Sequence, residues 1–244
     1  MTGVLGHSTK QPNPRRSAAR IYVAVVALAA VAGYVQLRPR SPLLPLETAI
    51  DGPTPSRAAG ILVFLHGRGG SVAGGATIVK CLREAGLPAD FSIVLLEGPF
   101  ATPFGHAWGN DAAEQTTSRA RVRARLADLL GPHGPPPTRV VLAGFSQGAG
   151  LAADVAVEEP RIGAVASLSA CAFWLRGALT KRTGLRVLLA HGSHDAVCPV
   201  NESRSLAALL KSAEVPVQYL EFDGEHHIPP EVVRALIDFA TATR

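Results

Sequence analysis

A serine between two glycines, in Gly-Phe-Ser-Gln-Gly at 144–148, is the part of this sequence best suited to covalent chemistry. The residues before it, 138–143, are apolar and largely β-branched, as in a strand, and those after it, 149–157, are small and compatible with a helix. A Gly-x-Ser-x-Gly pentapeptide between a strand and a helix predicts a nucleophile elbow, which exposes the serine hydroxyl above the end of a sheet. We therefore predict that Ser146 is a nucleophile that attacks an acyl carbon.

A serine hydroxyl needs a base within hydrogen-bond reach and a group that orients the base. In the fold class that carries this elbow, an acid and then a histidine follow the serine, each at the end of a later strand. The apolar run 185–190 precedes Asp195, and the run 216–222 precedes His226 and His227. The other carboxylates in this interval lie in or beside predicted helices, or too close to the histidines in sequence: Asp154, Glu158, Glu159, Glu202, Glu214, Glu221, Asp223 and Glu225. Asp195 is therefore the predicted acid.

Attack on a carbonyl places negative charge on its oxygen, and preorganised backbone N–H groups stabilise that charge. The apolar run 61–65 ends in His-Gly-Arg-Gly-Gly at 66–70, where glycines allow the backbone to turn its amides towards the elbow. We predict that the backbone N–H groups of Arg68 and Gln147 form this oxyanion hole.

Strand-length and helical patterns alternate beyond residue 41, and this alternation predicts an α/β fold. The strand-length runs are continuously apolar, which indicates a mostly parallel sheet with helices on both faces. They lie at 60–65, 91–96, 138–143, 163–168, 185–190 and 216–222. The helical patterns lie near 72–86, 112–130, 147–158, 201–213 and 230–242. Residues 41–59 have room for one edge strand at most, and the connection 168–185 lacks a clear helical pattern.

Four motifs, in this order, resemble the phospholipase/carboxylesterase branch of the α/β-hydrolases, which includes acyl-protein thioesterases. They are Leu-His-Gly-Arg-Gly-Gly at 65–70, Gly-Phe-Ser-Gln-Gly-Ala at 144–149, His-Gly-x-x-Asp-x-x-x-Pro at 191–199 and Gly-x-His-x-Ile-Pro at 224–229. The match spans about residues 58–243. The resemblance implies an α/β-hydrolase fold with no large cap domain and no cofactor, and it favours His226 over His227 as the catalytic histidine.

Three aromatic residues are predicted to surround the serine. Trp108 precedes a loop between two strong strand patterns, while Phe173 and Trp174 follow the strand after the elbow helix. In open α/β sheets such regions lie over the carboxyl ends of the strands, where ligands bind. Because only 5% of the chain is aromatic, we interpret the three residues as an apolar acyl pocket. The sequence leaves open the alternative that their rings pack in the core.

The charge of the chain does not indicate a nucleic-acid partner. The net charge is +5, but basic residues cluster around an N-terminal apolar stretch. The densest internal basic run, at 119–125, alternates with small residues on an amphipathic helical pattern, so it is interpreted as a solvated helix face. The three cysteines, Cys81, Cys171 and Cys198, match no metal or disulfide framework. They are interpreted as small buried residues, with one disulfide left open.

Residues 1–40 are predicted to be a signal peptide or signal anchor, and residues 41–244 one catalytic domain. An uncharged apolar run at 21–37 is flanked by arginines on both sides, and Ala-Val-Ala at 30–32 supplies a cleavage site. Cleavage is the favoured interpretation, and membrane attachment through an uncleaved anchor is the alternative. In both cases the catalytic domain is expected outside the cytoplasm.

Together these patterns predict a serine hydrolase that cleaves carboxylic esters or thioesters of small molecules, with no metal and no cofactor. Two alternatives remain from the sequence. One is a serine peptidase of the same fold, and the other is a binding module with this fold and no activity. The sequence does not predict the oligomeric state.

Overall fold

A seven-stranded sheet forms the centre of the protein in a computed structural model that describes residues 46–132 and 134–242. The nine strands are β1 (Thr48–Asp51), β2 (Gly60–Leu65), β3 (Phe91–Leu96), β4 (Phe100–Thr102), β5 (Gly105–Ala107), β6 (Val140–Phe145), β7 (Ala164–Leu168), β8 (Arg186–Gly192) and β9 (Val217–Phe222). The sheet has the order β1-β3-β2-β6-β7-β8-β9, and β4 pairs with β5 in a separate hairpin. Only β1 is antiparallel to its neighbour among these seven strands. The predicted parallel sheet with one added edge strand is confirmed, whereas the hairpin was not predicted.

Helices cover both faces of this sheet, as predicted from the continuously apolar strands. They are α1 (Ala76–Glu84), α2 (Ala112–Leu130), α3 (Gln147–Glu158), α4 (Arg176–Leu179), α5 (Val200–Ser212) and α6 (Pro230–Thr241). Alternate residues of each strand point to opposite faces. One face packs with α2, α3 and α5, and the other with α1 and α6. Helix α4 lies in the connection where no helix was predicted, and at four residues it is too short to give a helical pattern.

The position of β2 determines where a ligand site forms. Strand β2 is paired with β3 on one side and with β6 on the other, with Leu65 opposite Gly144. The chain direction across the sheet therefore reverses between β2 and β6. In open α/β sheets, this reversal separates the loops at the carboxyl ends of the two strands and leaves a crevice. The loop after β2 carries Arg68 and the loop after β6 carries Ser146, so both predicted site segments meet at this crevice.

Among the helices of residues 46–132 and 134–242, none has both the length and the apolar composition needed to cross a membrane. The predicted leader, residues 1–40, lies outside the described residues.

Candidate active site

Ser146 lies at the sharp turn between β6 and α3. Its backbone has φ 55° and ψ −118°, a strained conformation for a residue with a side chain. The flanking glycines are required sterically. A Cβ at Gly144 would collide with the carbonyl of Gly148, and a Cβ at Gly148 would collide with the carbonyl oxygens of Leu65 and His66. The turn therefore has the geometry of the predicted nucleophile elbow.

The structure brings the predicted acid and the predicted histidine together, although 31 residues separate them in sequence. Asp195 follows β8 and His226 follows β9, and His226 Nδ1 lies 2.6 Å from Asp195 Oδ2. His227 does not contact Asp195 in this way; its ring packs edge-on against Phe222, with 5.5 Å between centroids. Since a carboxylate oxygen can only accept, His226 Nδ1 carries the ring proton and donates a hydrogen bond to Asp195. The unprotonated Nε2 can then act as a base.

The side chain of Asp195 is fully buried, and its carboxylate accepts three hydrogen bonds. Oδ1 accepts hydrogen bonds from the backbone N–H groups of Val197 and Cys198, at 2.9 and 2.8 Å. Oδ2 accepts from His226 and also lies 3.3 Å from Nε2 of His191. Burial alone would raise the pKa of Asp195, but the hydrogen bonds from Cys198, His226 and Val197 outweigh burial and hold the pKa below its ordinary value. Asp195 is therefore kept as an anion that can steady a charged imidazole.

His226 contacts the elbow through Phe145, the residue before Ser146. The ring of His226 packs on Phe145 with 4.7 Å between centroids. The nearest side-chain partners of Ser146 Oγ are the sulfur atoms of Cys171 and Cys198, at 3.8 and 4.0 Å. Within the described residues, Ser146 makes no hydrogen bond to His226. Catalytic hydrogen bonds of this kind are often long in unliganded enzymes and shorten when substrate binds.

Arg68, Ser146 and Gln147 line one cavity of about 370 Å³, which we call the serine cavity. The loop that carries Arg68 is held by the buried ring of His66. The backbone N–H of Gly98 donates to His66 Nε2 at 3.0 Å. Nδ1 therefore carries the proton and donates to the carbonyl of Gly67 at 2.7 Å. Burial lowers the pKa of His66, which favours the neutral ring that this bonding needs.

The side chain of Gln147 also braces the two halves of the predicted oxyanion hole. Its Oε1 accepts from the backbone N–H of Trp108 at 2.9 Å, and its Nε2 donates to the carbonyl of Gly109 at 2.5 Å. The indole N–H of Trp108 donates to the carbonyl of His66 at 2.8 Å. These bonds join the β2 loop, the segment after β5 and the elbow. The supporting bonds of His66 to Gly98 and of the Gln147 side chain to Trp108 could not be predicted from the sequence, because the partners are 32 and 39 residues apart.

The three predicted pocket aromatics occupy different places. Trp174 lines the serine cavity and is 52% exposed. Trp108 is fully buried and Phe173 is 7% exposed, and both rings belong to the core on the α2–α3 face of the sheet. The indole N–H of Trp108 is occupied by its bond to the His66 carbonyl. Of the three, Trp174 is therefore the residue available to a substrate in the serine cavity.

Cys171 and Cys198 form a disulfide beside the serine. Cys171 lies in the loop after β7, and Cys198 lies in the loop after β8 that carries Asp195. The bond therefore ties the acid loop to the wall of the serine cavity, while Cys81 remains free. The sequence left one disulfide open, and the structure forms it between this pair. Cys198 is buried, as interpreted, whereas Cys171 is exposed.

Replacing both Cys171 and Cys198 with Ala is expected to lower the free energy of unfolding by about 3 kcal/mol, because the bond closes a loop across a separation of 27 residues. Urea titration under oxidising conditions measures this change. Cys81→Ala, which removes a half-buried free thiol, is the matched control and should change stability much less. A wild-type midpoint that does not fall when a reducing agent is added would contradict the prediction.

The arrangement places a serine hydroxyl at a strained turn, a histidine hydrogen-bonded to a buried carboxylate, and Arg68 of the β2 loop in the lining of the same cavity as the serine. Within the described residues, no cluster of three or more His, Cys, Asp or Glu side chains is placed to hold a metal ion. The groups that are present fit acyl transfer through a serine.

Comparisons with known proteins agree on family and fold. A model of the phospholipase/carboxylesterase family matches residues 50–244. The chain superimposes on esterase PE8 with a TM-score of 0.71 and 24% identity, covering 82% of this chain and 100% of that one. It also superimposes on the Bacillus cereus carboxylesterase (TM-score 0.66, 15% identity, 82% and 95% covered) and on Zea mays acyl-protein thioesterase 2 (TM-score 0.64, 18% identity, 81% and 98% covered). No curated protein sequence matches significantly. The predicted α/β-hydrolase fold is confirmed, and the residues that the structure describes include no large cap domain.

Proposed function

The chain belongs to the phospholipase/carboxylesterase family, and we propose that it hydrolyses carboxylic esters or thioesters through an acyl-enzyme on Ser146. The observation that carries this proposal is the 2.6 Å hydrogen bond between His226 and the buried Asp195, next to a serine at a strained elbow. A binding module with this fold would have no need for a strained serine or a buried anion beneath a histidine, so the geometry supports an enzyme.

In the proposed reaction, His226 Nε2 takes the Ser146 proton while Oγ bonds to the acyl carbon. The backbone N–H groups of Arg68 and Gln147 stabilise the charged oxygen. The tetrahedral intermediate then breaks its bond to the leaving oxygen or sulfur, which receives the proton from His226. Water next attacks the acyl-serine and gives a proton to His226, and the carboxylic acid leaves as that proton returns to Ser146. Asp195 stays ionised throughout and stabilises the imidazolium.

Covalent labelling tests this proposal directly. A fluorophosphonate reacts with serines that a neighbouring base activates, so it should label the protein once, on the peptide that contains Ser146. Mass spectrometry of the digested protein locates the label, and hydrolysis of a panel of short esters and thioesters should be lost in proportion to labelling. Full activity in fully labelled protein would refute the acyl-enzyme on Ser146.

Catalytic efficiency is expected to rise with acyl length until the serine cavity is full, because each buried methylene contributes about 0.8 kcal/mol. With a cavity of about 370 Å³, we expect octanoyl esters to exceed acetyl esters. Trp174→Ala removes an apolar wall and should lower the octanoyl-to-acetyl ratio of kcat/KM by about tenfold, the equivalent of roughly two methylenes. Methyl esters of graded acyl length measure this ratio.

Phe104→Ala is the matched control for Trp174→Ala. Phe104 is a 91% exposed aromatic that lies outside the residues lining the serine cavity. The control should keep the wild-type ratio. Equal efficiency for acetyl and octanoyl esters in the wild type would exclude the serine cavity as an acyl pocket.

We also propose that the enzyme acts outside the cytoplasm. The apolar run at 21–37 with its flanking arginines supports export. The disulfide between Cys171 and Cys198 supports it independently, since disulfides persist mainly in oxidising compartments. Fractionation of cells that express the full chain, with detection of the catalytic domain and its mass, tests both export and cleavage of the leader.

A further inference from the structure

A second cavity is lined by His226 and by Phe145, the residue before Ser146. It has a volume of about 430 Å³ and lies between the start of α1 and the segment that joins β9 to α6. We call it the histidine cavity because His226 lines it. Its lining residues are Phe64, His66, Gly67, Gly70, Ser71, Gly74, Gly75, Thr77, Ile78, Cys81, Phe145, His226, His227, Ile228 and Val233.

The two cavities divide the catalytic groups between them. Ser146 and the residues of the predicted oxyanion hole line the serine cavity, whereas His226 lines the histidine cavity. Gly67 and Phe145, on the rim of the histidine cavity, are the chain neighbours of Arg68 and Ser146. The two cavities are therefore lined by consecutive residues at both the β2 loop and the elbow, which places both of them beside Ser146.

The chemistry assigns a side to each half of the substrate. The carbonyl oxygen must face the amides of Arg68 and Gln147, whereas the leaving oxygen or sulfur must face the atom that protonates it, His226 Nε2. From this we propose that the histidine cavity binds the alcohol or thiol half of the substrate, and that the group it accepts is apolar and uncharged. This assignment rests on the proposed function of the chain as a serine ester hydrolase.

The lining explains the apolar preference. Its side walls are formed by aliphatic and aromatic side chains such as Phe64, Ile78, Ile228 and Val233, and none of the lining residues that the structure describes is Asp, Glu, Lys or Arg. A further cavity of about 300 Å³ shares Cys81, Ile228 and Val233 with it. That cavity is also lined by Glu84 and Arg234, so the uncharged lining belongs to the histidine cavity alone. A charged alcohol would lose its hydration there without gaining an ionic partner, which is costly.

Two substrate series test the assignment on the full chain. In the first, butyrate is esterified with methanol, butanol or hexanol, and kcat/KM should rise by up to about fourfold per methylene of the alcohol. In the second, butyrylcholine is compared with its uncharged isostere, 3,3-dimethylbutyl butyrate. The isostere should be preferred by about tenfold or more, because the cavity offers no counter-charge.

Thr77 provides the variant, since it is exposed, lines the histidine cavity and is the second residue of α1. A carboxylate suits the start of a helix, so Thr77→Glu is expected to fold. Thr77→Glu should reduce the hexyl-to-methyl ratio of kcat/KM by about tenfold. It should also make butyrylcholine a better substrate than 3,3-dimethylbutyl butyrate. Thr77→Gln introduces a side chain of the same size as Glu without the charge. This variant should keep most of the preference for longer alcohols and most of the preference for the uncharged isostere. Trp174→Ala should change the acyl series and leave the alcohol series as in the wild type.

Each failure has a distinct meaning. No hydrolysis of any ester by the wild type would refute the proposed function itself. Normal hydrolysis with no dependence on the alcohol, or a preference for butyrylcholine, would refute the apolar leaving-group site. If Thr77→Glu changes the acyl series and Trp174→Ala the alcohol series, the two cavities have been assigned the wrong way round.

Discussion

Replacing Ser146 with Ala is expected to lower kcat for ester hydrolysis by about 10⁶-fold, because no other group could form the acyl-enzyme. The change removes one hydroxyl and adds nothing to a crowded turn. The backbone at Ser146 already has a positive φ, so Ala meets the same strain that Ser does and should fold equally well. Turnover of a short ester and labelling by a fluorophosphonate measure the loss, and the thermal unfolding midpoint checks the fold.

Ser169 provides a closely matched control for that experiment. It follows the neighbouring strand β7, is buried, and also has a positive φ, of 52°. Its hydroxyl has no hydrogen-bond partner among the described residues. Ser169→Ala therefore removes the same atom from the same kind of turn one strand away, and should retain activity within a few-fold. Substantial esterase activity in purified Ser146→Ala protein would refute the mechanism.

The strands and main helices could be predicted because their signals are local. Continuous apolar runs produced strands buried on both faces, and helical spacing of apolar residues produced the long helices. The observed boundaries differ from the predicted ones where a local turn replaces the start of a predicted strand. The nucleophile strand was expected at 138–143, but Pro137–Arg139 forms a short 3₁₀ turn, and the strand runs from Val140 to Phe145. The β4–β5 hairpin was missed because each of its strands has three residues, too few for a periodic pattern.

The candidate reacting groups could be proposed from the sequence because the fold class prescribes their order, whereas their supports could not. Ser146, Asp195 and His226 each follow a strand, and the family resemblance was needed to choose His226 over the adjacent His227. The bracing of the oxyanion loop by His66 and Gln147 depends on partners brought close by folding. The same holds for the disulfide between Cys171 and Cys198, which joins the loops after two adjacent strands.

The aromatic pocket shows a further limit of the sequence. Trp108 was singled out for its position above the sheet, and that position is correct, but its ring turns inwards and its N–H binds the His66 carbonyl. A sequence places a residue in a loop, whereas the direction of its side chain depends on which neighbour offers a partner. Trp174, in the loop after β7, lines the serine cavity instead.

Replacing Asp195 with Asn is expected to lower kcat by about 10⁴-fold, and the bonding of the carboxylate explains why. Oδ1 accepts from two backbone N–H groups, those of Val197 and Cys198. In the Asn variant the carbonyl oxygen must take that place, since an NH₂ group cannot accept. The NH₂ group then faces His226 and donates to Nδ1. The proton of the imidazole is forced onto Nε2, which can no longer take the proton of Ser146.

Asp223→Asn is the matched control for this change. Asp223 is an exposed carboxylate in the same region and pairs with a histidine, His194, at 3.1 Å, but neither group lies at the serine. Its loss should keep kcat within about tenfold of wild type, as expected for a neighbour with no part in proton transfer. Steady-state kinetics on one short ester compare the two variants. Because Asn preserves the shape of the Asp195 side chain, fluorophosphonate labelling should slow along with turnover while the unfolding midpoint changes little. A loss of less than tenfold in Asp195→Asn would mean that another group orients His226.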